Sequence, residues 1–180
     1  MNVKKGFTLI ELLIVMAILG VLAVVVLVAI NPVQQLARTR DAGRKSAITQ
    51  IGHALEAYYT TQGATYVAES TTWIDDLVAA GEMASVPSAI AYGSGFTPCT
   101  GAGGGIQNDY CYYAQTAQGG PPMVVLTRLE SDSEVSKCGD PADFCALFVW
   151  SSADGRGGLV CDDSTDGCDE PIPGSMSFTE

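Results

Sequence analysis

The chain opens on one long apolar block and then changes its period. From Phe7 to Ile30 it runs 24 residues, and only Thr8, Glu11 and Gly20 interrupt the apolar character. A helix rising about 1.5 Å per residue would carry that block across a hydrocarbon layer of about 30 Å. Asn31-Pro32 ends or kinks it, because proline lacks a backbone donor and clashes with the preceding turn. A helical pattern resumes from Val33 to Tyr59. There Ile48, Ile51, Leu55 and Tyr58 recur at spacings of three and four, one stripe on one face. Gln62-Gly63 closes this helix. Thr71-Thr72 stands where it caps a short helix from Trp73 to Ala80, with Gly81 in the C′ place. Three later runs, Asp109 to Gln115, Met123 to Glu130 and Cys145 to Ser151, are rich in aromatic or β-branched residues and bounded by Gly, Pro or Ser. They predict strands, with Ala117 to Pro122 as a turn between the first two. An antiparallel sheet packed on the helical stripe would bury both, which gives an α+β fold.

The start of the apolar block carries the chemistry. Lys4 and Lys5 stand in front of it. A secretory signal peptide has a shorter apolar region followed by a small-residue cleavage site, and here Asn31-Pro32 follows instead. The helix is therefore expected to be kept, with the cut before it at Gly6-Phe7. Glu11 is the anomaly, since a carboxylate at the centre of a bilayer costs about 2.5–3.5 kcal/mol and less near the interface. A cut after Gly6 frees an α-amine on Phe7, four residues before Glu11 and on the same helical face. The carboxylate also sits at the positive end of the helix dipole. Between chains, the amine of one helix and the Glu11 of another would seek each other, because neither charge is comfortable in lipid.

Lys4-Lys5-Gly6-Phe7-Thr8-Leu9-Ile10-Glu11-Leu12-Leu13-Ile14-Val15 resembles the class III signal of type IV pilins and type II secretion pseudopilins. The match is close over about the first 30 residues and fades through the head. The resemblance implies cleavage between Gly6 and Phe7 by an aspartyl prepilin peptidase and N-methylation of Phe7. It also implies assembly through Glu11 into a homopolymeric filament, loaded by an inner-membrane platform protein and powered by a cytoplasmic ATPase. The expected division is a leader 1–6, a transmembrane and filament-core helix 7–30, its amphipathic continuation 31–62, and a globular head 63–180 with a Cys-rich C-terminal region. The fold expected is a long membrane-spanning helix forming the spine of a small antiparallel-sheet head with disulfide-closed loops. The chain would wait in the inner membrane and end in an extracellular pilus, or in a periplasmic pseudopilus.

Charge narrows the partners. Nine basic and 20 acidic side chains give a formal −11; without Lys4 and Lys5, seven basic against 20 acidic leave −13. After Lys45 only Arg128, Lys137 and Arg156 are basic, so the head should not bind nucleic acid through phosphate contacts. Lys4 and Lys5 place the N-terminus in the cytoplasm, while Arg38, Arg40, Arg44 and Lys45 argue the reverse by simple counting. The leader and the cysteines settle the orientation for an exported head. The cluster 38–45 has three readings: contact with phospholipid head groups, pairing with acidic residues of a neighbouring subunit, or a solvated face.

Cys99, Cys111, Cys138, Cys145, Cys161 and Cys168 all lie in the C-terminal half. An even number in an exported, Gly-rich region reads as disulfides. Six cysteines allow fifteen connectivities; the local one pairs Cys99 with Cys111, Cys138 with Cys145 and Cys161 with Cys168. No CxxC spacing occurs and His53 is the one histidine, which argues against zinc and against a Ser-His-Asp catalyst. No enzyme is expected. Gly101 to Gly105 is a turn rather than a phosphate loop, as no lysine follows it. Asp162, Ser164 and Asp166 with Gly167 match the first half of a calcium loop, but Pro173 stands where the closing carboxylate belongs. An acidic disulfide-closed loop is the plainer reading and calcium the alternative. The whole reads as a pilin of a surface filament; a pseudopilin, or a signal-anchored surface binding protein that never polymerises, are the alternatives.

Overall fold

The computed structural model describes residues 6–93, 104–116, 119–139, 144–163 and 177–179. The chain divides into two compact units, Met1–Leu36 and Ala37–Glu180. In the first, helix α1 covers Leu9–Ile30 and buries none of its residues. It is long and apolar enough to cross a membrane. Asn31 ends it in the left-handed region at φ 44°, a conformation asparagine tolerates, and its carbonyl accepts from the N–H groups of Gln34 and Gln35. Helix α2, Pro32–Thr61, starts directly behind it, with proline in the first helical place where its missing N–H costs nothing. The expected break at Asn31-Pro32 is therefore present. Gly63, at φ 69°, follows the other end of α2.

The second unit is built on α2. Ile48, Ile51 and Leu55 are fully buried, and Tyr58 packs against their cluster. Helix α3, Trp73–Ala79, adds Trp73, Ile74 and Leu77 to the same core. Gly81 closes α3 as expected: at φ 83° it lets its own N–H reach Val78 O and that of Glu82 reach Leu77 O, a Schellman arrangement. The N-terminal cap differs from expectation. Thr72 makes no side-chain cap; Gln107 Oε1 accepts from Ile74 N at 2.7 Å instead.

Among the described residues six strands form one antiparallel sheet in chain order: β1 Gly105–Gln107, β2 Tyr110–Thr116, β3 Gly120–Arg128, β4 Phe144–Ser151, β5 Arg156–Asp163 and β6 Phe178–Thr179. A four-residue helix, α4 (Asp132–Val135), lies between β3 and β4. One sheet face puts Tyr110, Tyr112, Met123, Val125 and Trp150 on α2 and α3. The other carries Cys111, Tyr113, Val124, Leu126, Leu147, Val149 and Val160, also buried. Strands buried on both faces read as continuous apolar runs, which is why β2, β3 and β4 were legible in sequence.

Three expectations need correction. Among the described residues the sheet has six strands rather than three. In β5 the run Gly157-Gly158 hides the strand, yet both glycines are demanded by neighbours. A Cβ at Gly157 would lie 3.2 Å from the Trp150 ring, and one at Gly158 would lie 2.6 Å from the Phe178 ring. The turn read over 117–122 is shorter, since β3 already begins at Gly120 and includes Pro121-Pro122. Two of the three local disulfide pairs also fail, Cys138 with Cys145 and Cys161 with Cys168, because Cys138 is bonded to Cys161 across 23 residues. On β4 and β5, Ala146 faces Cys161 while Cys145 faces Asp162, so Cys145 points to the opposite side of the sheet. Cys138 packs with Leu129, Ala146, Leu159 and Cys161, on the side Cys145 turns away from. Cys111 and Cys145 are disulfide-bonded too, and Cys99 and Cys168 lie outside the described residues.

Gly52 sets how closely α2 approaches the sheet. A Cβ there would fall 2.3 Å from Cγ of Trp150, whose ring meets His53 edge-on at 4.5 Å. Gly52→Ala should overpack this contact and destabilise the unit by about 1–3 kcal/mol despite alanine's better helix propensity. Thermal unfolding followed by tryptophan fluorescence checks it; an unchanged or raised midpoint would mean the indole gives way freely.

Candidate functional site

The N-terminal site is a capped helix end. Gly6 and Phe7 precede α1 in an exposed segment, with Phe7 89% exposed and nothing within 4 Å of a Cβ placed at Gly6. Thr8 is the N-cap and Glu11 the N3 residue of a capping box. Glu11 Oε2 accepts from Thr8 N at 2.8 Å and from Thr8 Oγ1 at 2.7 Å, and Glu11 N donates back to Thr8 Oγ1 at 3.3 Å. Two orphan donors of the helix start are satisfied, and the carboxylate is held by hydrogen bonds where the helix dipole favours a negative charge. Thr8 had no assigned role in the sequence reading. The signal was available, since Thr8-x-x-Glu11 before an apolar run is a capping-box pattern.

The basic cluster turns inward. Arg44 is 1% exposed. Its Nη1 donates to Asp41 Oδ1 at 2.8 Å and to Glu130 Oε1 at 3.0 Å, and its Nη2 donates to the carbonyls of Ile90 and Ala91, each at 3.1 Å. Its guanidinium lies 3.8 Å from the centre of the Tyr92 ring. Asp41 accepts from the backbone N–H groups of Glu130 and Ser131. Glu130 also takes Arg40 Nε and, at 2.6 Å, the N–H of Gly93. Two arginines and two carboxylates thus pin the segment 90–93 and the end of the β3 connection to α2. Lys45 and Lys137 pair with Glu134 at 2.8 and 2.9 Å. Of the cluster, Arg40, Arg44 and Lys45 are engaged within the chain; these three do not form a merely solvated face. Burial works to raise the Glu130 carboxyl, but the hydrogen bonds from Arg40, the Gly93 N–H and Arg44 outweigh it and hold the carboxyl below its ordinary range.

Asp162 lies in β5 opposite Cys145, while Ser164 and Asp166 fall outside the described residues. His53 is exposed and its ring packs on Trp150.

An apolar helix long enough to cross a membrane, with a capped carboxylate at its start, and a sheet built on the helix that follows define an α+β chain with an N-terminal helix of membrane-spanning length. Residues 1–27 match the family model described as the prokaryotic N-terminal methylation motif. In carrying this motif the chain is type IV pilin-like. It is 38% identical over 94 residues to a type IV major pilin protein PilE1 of Neisseria gonorrhoeae, covering 49% of this chain and 47% of that protein. A second PilE1 of the same organism is 39% identical over 94 residues, covering 49% of this chain and 43% of its own length. The chain thus spans less than half the length of these relatives. No solved structure matches it significantly.

Proposed function

We propose that the chain is the structural subunit of a type IV pilus-like surface filament. It is inserted by α1, cut between Gly6 and Phe7, methylated on Phe7 and polymerised through α1. The observation that carries this is Glu11, a carboxylate on an otherwise apolar, wholly exposed helix, one turn from the new N-terminus. A plain anchor has no use for a charge that costs free energy in lipid, whereas a polymer can neutralise each new amine with a neighbour's carboxylate. That the relatives are major pilins favours a pilus over a secretion pseudopilus. The processing peptidase, the membrane platform and the ATPase follow from the prepilin signal as the partners this route requires.

Intact mass spectrometry of filaments sheared from the cell surface tests the reading. The expected species begins at methylated Phe7 and lacks six hydrogens, for three disulfides among its six cysteines. The processed chain confined to membranes would support a pseudopilus, and an uncut chain from Met1 would leave only the anchor reading.

A further inference from the structure

Cys111 and Cys145 are each disulfide-bonded, and Cys138 is bonded to Cys161. Cys111 and Cys145 both stand on the sheet face turned away from α2. Cys111 belongs there to the cluster of Val124, Leu126, Leu147 and Val149. Cys145 alternates with Ala146, which packs on the opposite side with Leu129 and Leu159. Register nevertheless keeps the two apart. Cys111 lies opposite Leu126, and Leu126 opposite Val149. Cys111 is therefore two strand spacings from Val149, about 9.5 Å, and Cys145 lies further along β4 by about 13 Å. The two Cα atoms are about 16 Å apart, where a disulfide needs about 4.4–6.8 Å. Neither is the other's partner, and Cys99 and Cys168 are the two cysteines left.

Two pairings then compete, and the edges of the sheet decide between them. Strand β1 puts Ile106 opposite Cys111, and Cys99 stands six residues before Gly105. Strand β5 puts Asp162 opposite Cys145, and Cys168 stands six residues after Asp162. Each stretch thus starts one strand spacing, about 4.8 Å, from the line of its nearer cysteine. The crossed pairing joins Cys99 to Cys145 and Cys111 to Cys168. Each stretch would then span three strand spacings and four or five residues of strand, roughly 20 Å. Six residues pulled fully straight reach about 20–22 Å, so both stretches would have to be drawn nearly taut at once. The face also needs cover. Cys111, Val124 and Val149 are fully buried, yet among the described residues Phe178 is the one further hydrophobic side chain packed on their cluster.

We infer that Cys99 is bonded to Cys111 and Cys145 to Cys168, and that these bonds fasten the chain before β1 and after β5 to the sheet face opposite α2. Cys138–Cys161 and Cys145–Cys168 then clamp the β4–β5 hairpin from opposite faces. Each bond forms from two thiols. Their two protons and two electrons pass by thiol–disulfide exchange to a disulfide-bonded oxidoreductase, which is reduced to its dithiol. The pairing does not depend on whether the chain polymerises.

Tryptic mapping of the full chain, extracted in detergent with free thiols blocked and unfolded without reductant, tests the pairing. Cuts after Lys45, Arg128, Lys137 and Arg156 leave peptides 46–128, 138–156 and 157–180, with two cysteines in each. The expected result is 46–128 on its own, two hydrogens lighter than its sequence, and 138–156 joined to 157–180 by two bonds. A further cut at Asp143 and Asp166 should then release Cys138–Cys161 and Cys145–Cys168 as separate species. All three peptides in one covalent species would overturn the inference, as would a blocked thiol on Cys99 or Cys168. Cys145→Ser gives an independent reading. It should expose one new thiol to labelling, on Cys168; a label on Cys99 instead would establish the crossed pairing and overturn this one.

Discussion

Truncating Arg44 to alanine should cost about 3–5 kcal/mol, because it removes the one cation shared by two buried carboxylates, leaving Asp41 with backbone N–H donors alone and Glu130 with Arg40 and one N–H. Asp41 and Glu130 are 2% and 6% exposed, so water cannot replace the lost guanidinium without opening the fold. The carbonyls of Ile90 and Ala91 lose their donor at the same stroke. Small domains have only about 5–15 kcal/mol in hand, so the variant should be marginal or unfolded at growth temperature. Urea unfolding of the full chain in detergent, followed through the buried Trp73 and Trp150, measures the loss. A cost below about 1 kcal/mol would put this network on a par with a surface ion pair. Acid should act on the same point. The Glu130 carboxyl titrates below its ordinary value, so its contribution is complete above about pH 4.3 and fades as the pH falls through the lower folded value. Glu130→Gln should flatten that acid limb of the stability curve.

Replacing Glu11 by alanine should leave membrane insertion intact and abolish filaments. Loss of the capping box costs about 1 kcal/mol of helix stability. Removing the carboxylate returns up to about 2.5–3.5 kcal/mol of insertion cost, so poorer insertion cannot explain a missing filament. Glu11→Gln separates the two roles of the side chain. Glutamine also serves at the N3 place of a capping box, so it keeps the hydrogen bonds to Thr8 but carries no charge. Filament loss in both variants, with membrane fractions at wild-type level, would assign assembly to the charge. Filaments from Glu11→Ala at normal yield would leave the carboxylate as a helix cap and favour the non-polymerising anchor.

The stripe on α2 bears on how the fold can be read. Ile48, Ile51, Leu55 and Tyr58 follow the alternating spacing of three and four that marks a buried face. Carried backwards, the same spacing passes through Arg44, Asp41 and Ala37, and all three are buried. The pattern was there, but two charged residues on it read as surface, because an isolated charge is almost never interior. Their partner, Glu130, lies 86 residues beyond Arg44 and had been assigned to the end of a strand.

The apolar block, the break at Asn31-Pro32, the stripe, the Gly81 cap and three strands were determined by sequence alone. Each depends on residues within a turn or two of one another, or on the composition of one short run. The tertiary structure decided the rest. Gly157 and Gly158 became strand residues because Trp150 and Phe178 fill the space beside them. Cys138 found Cys161 because neighbouring residues on a strand point to opposite faces, which no spacing along the chain reveals. The basic cluster turned inward because the chain brings Glu130 back to α2. A charge is buried or exposed according to what meets it in space, and that meeting is the part of the structure that local pattern does not encode.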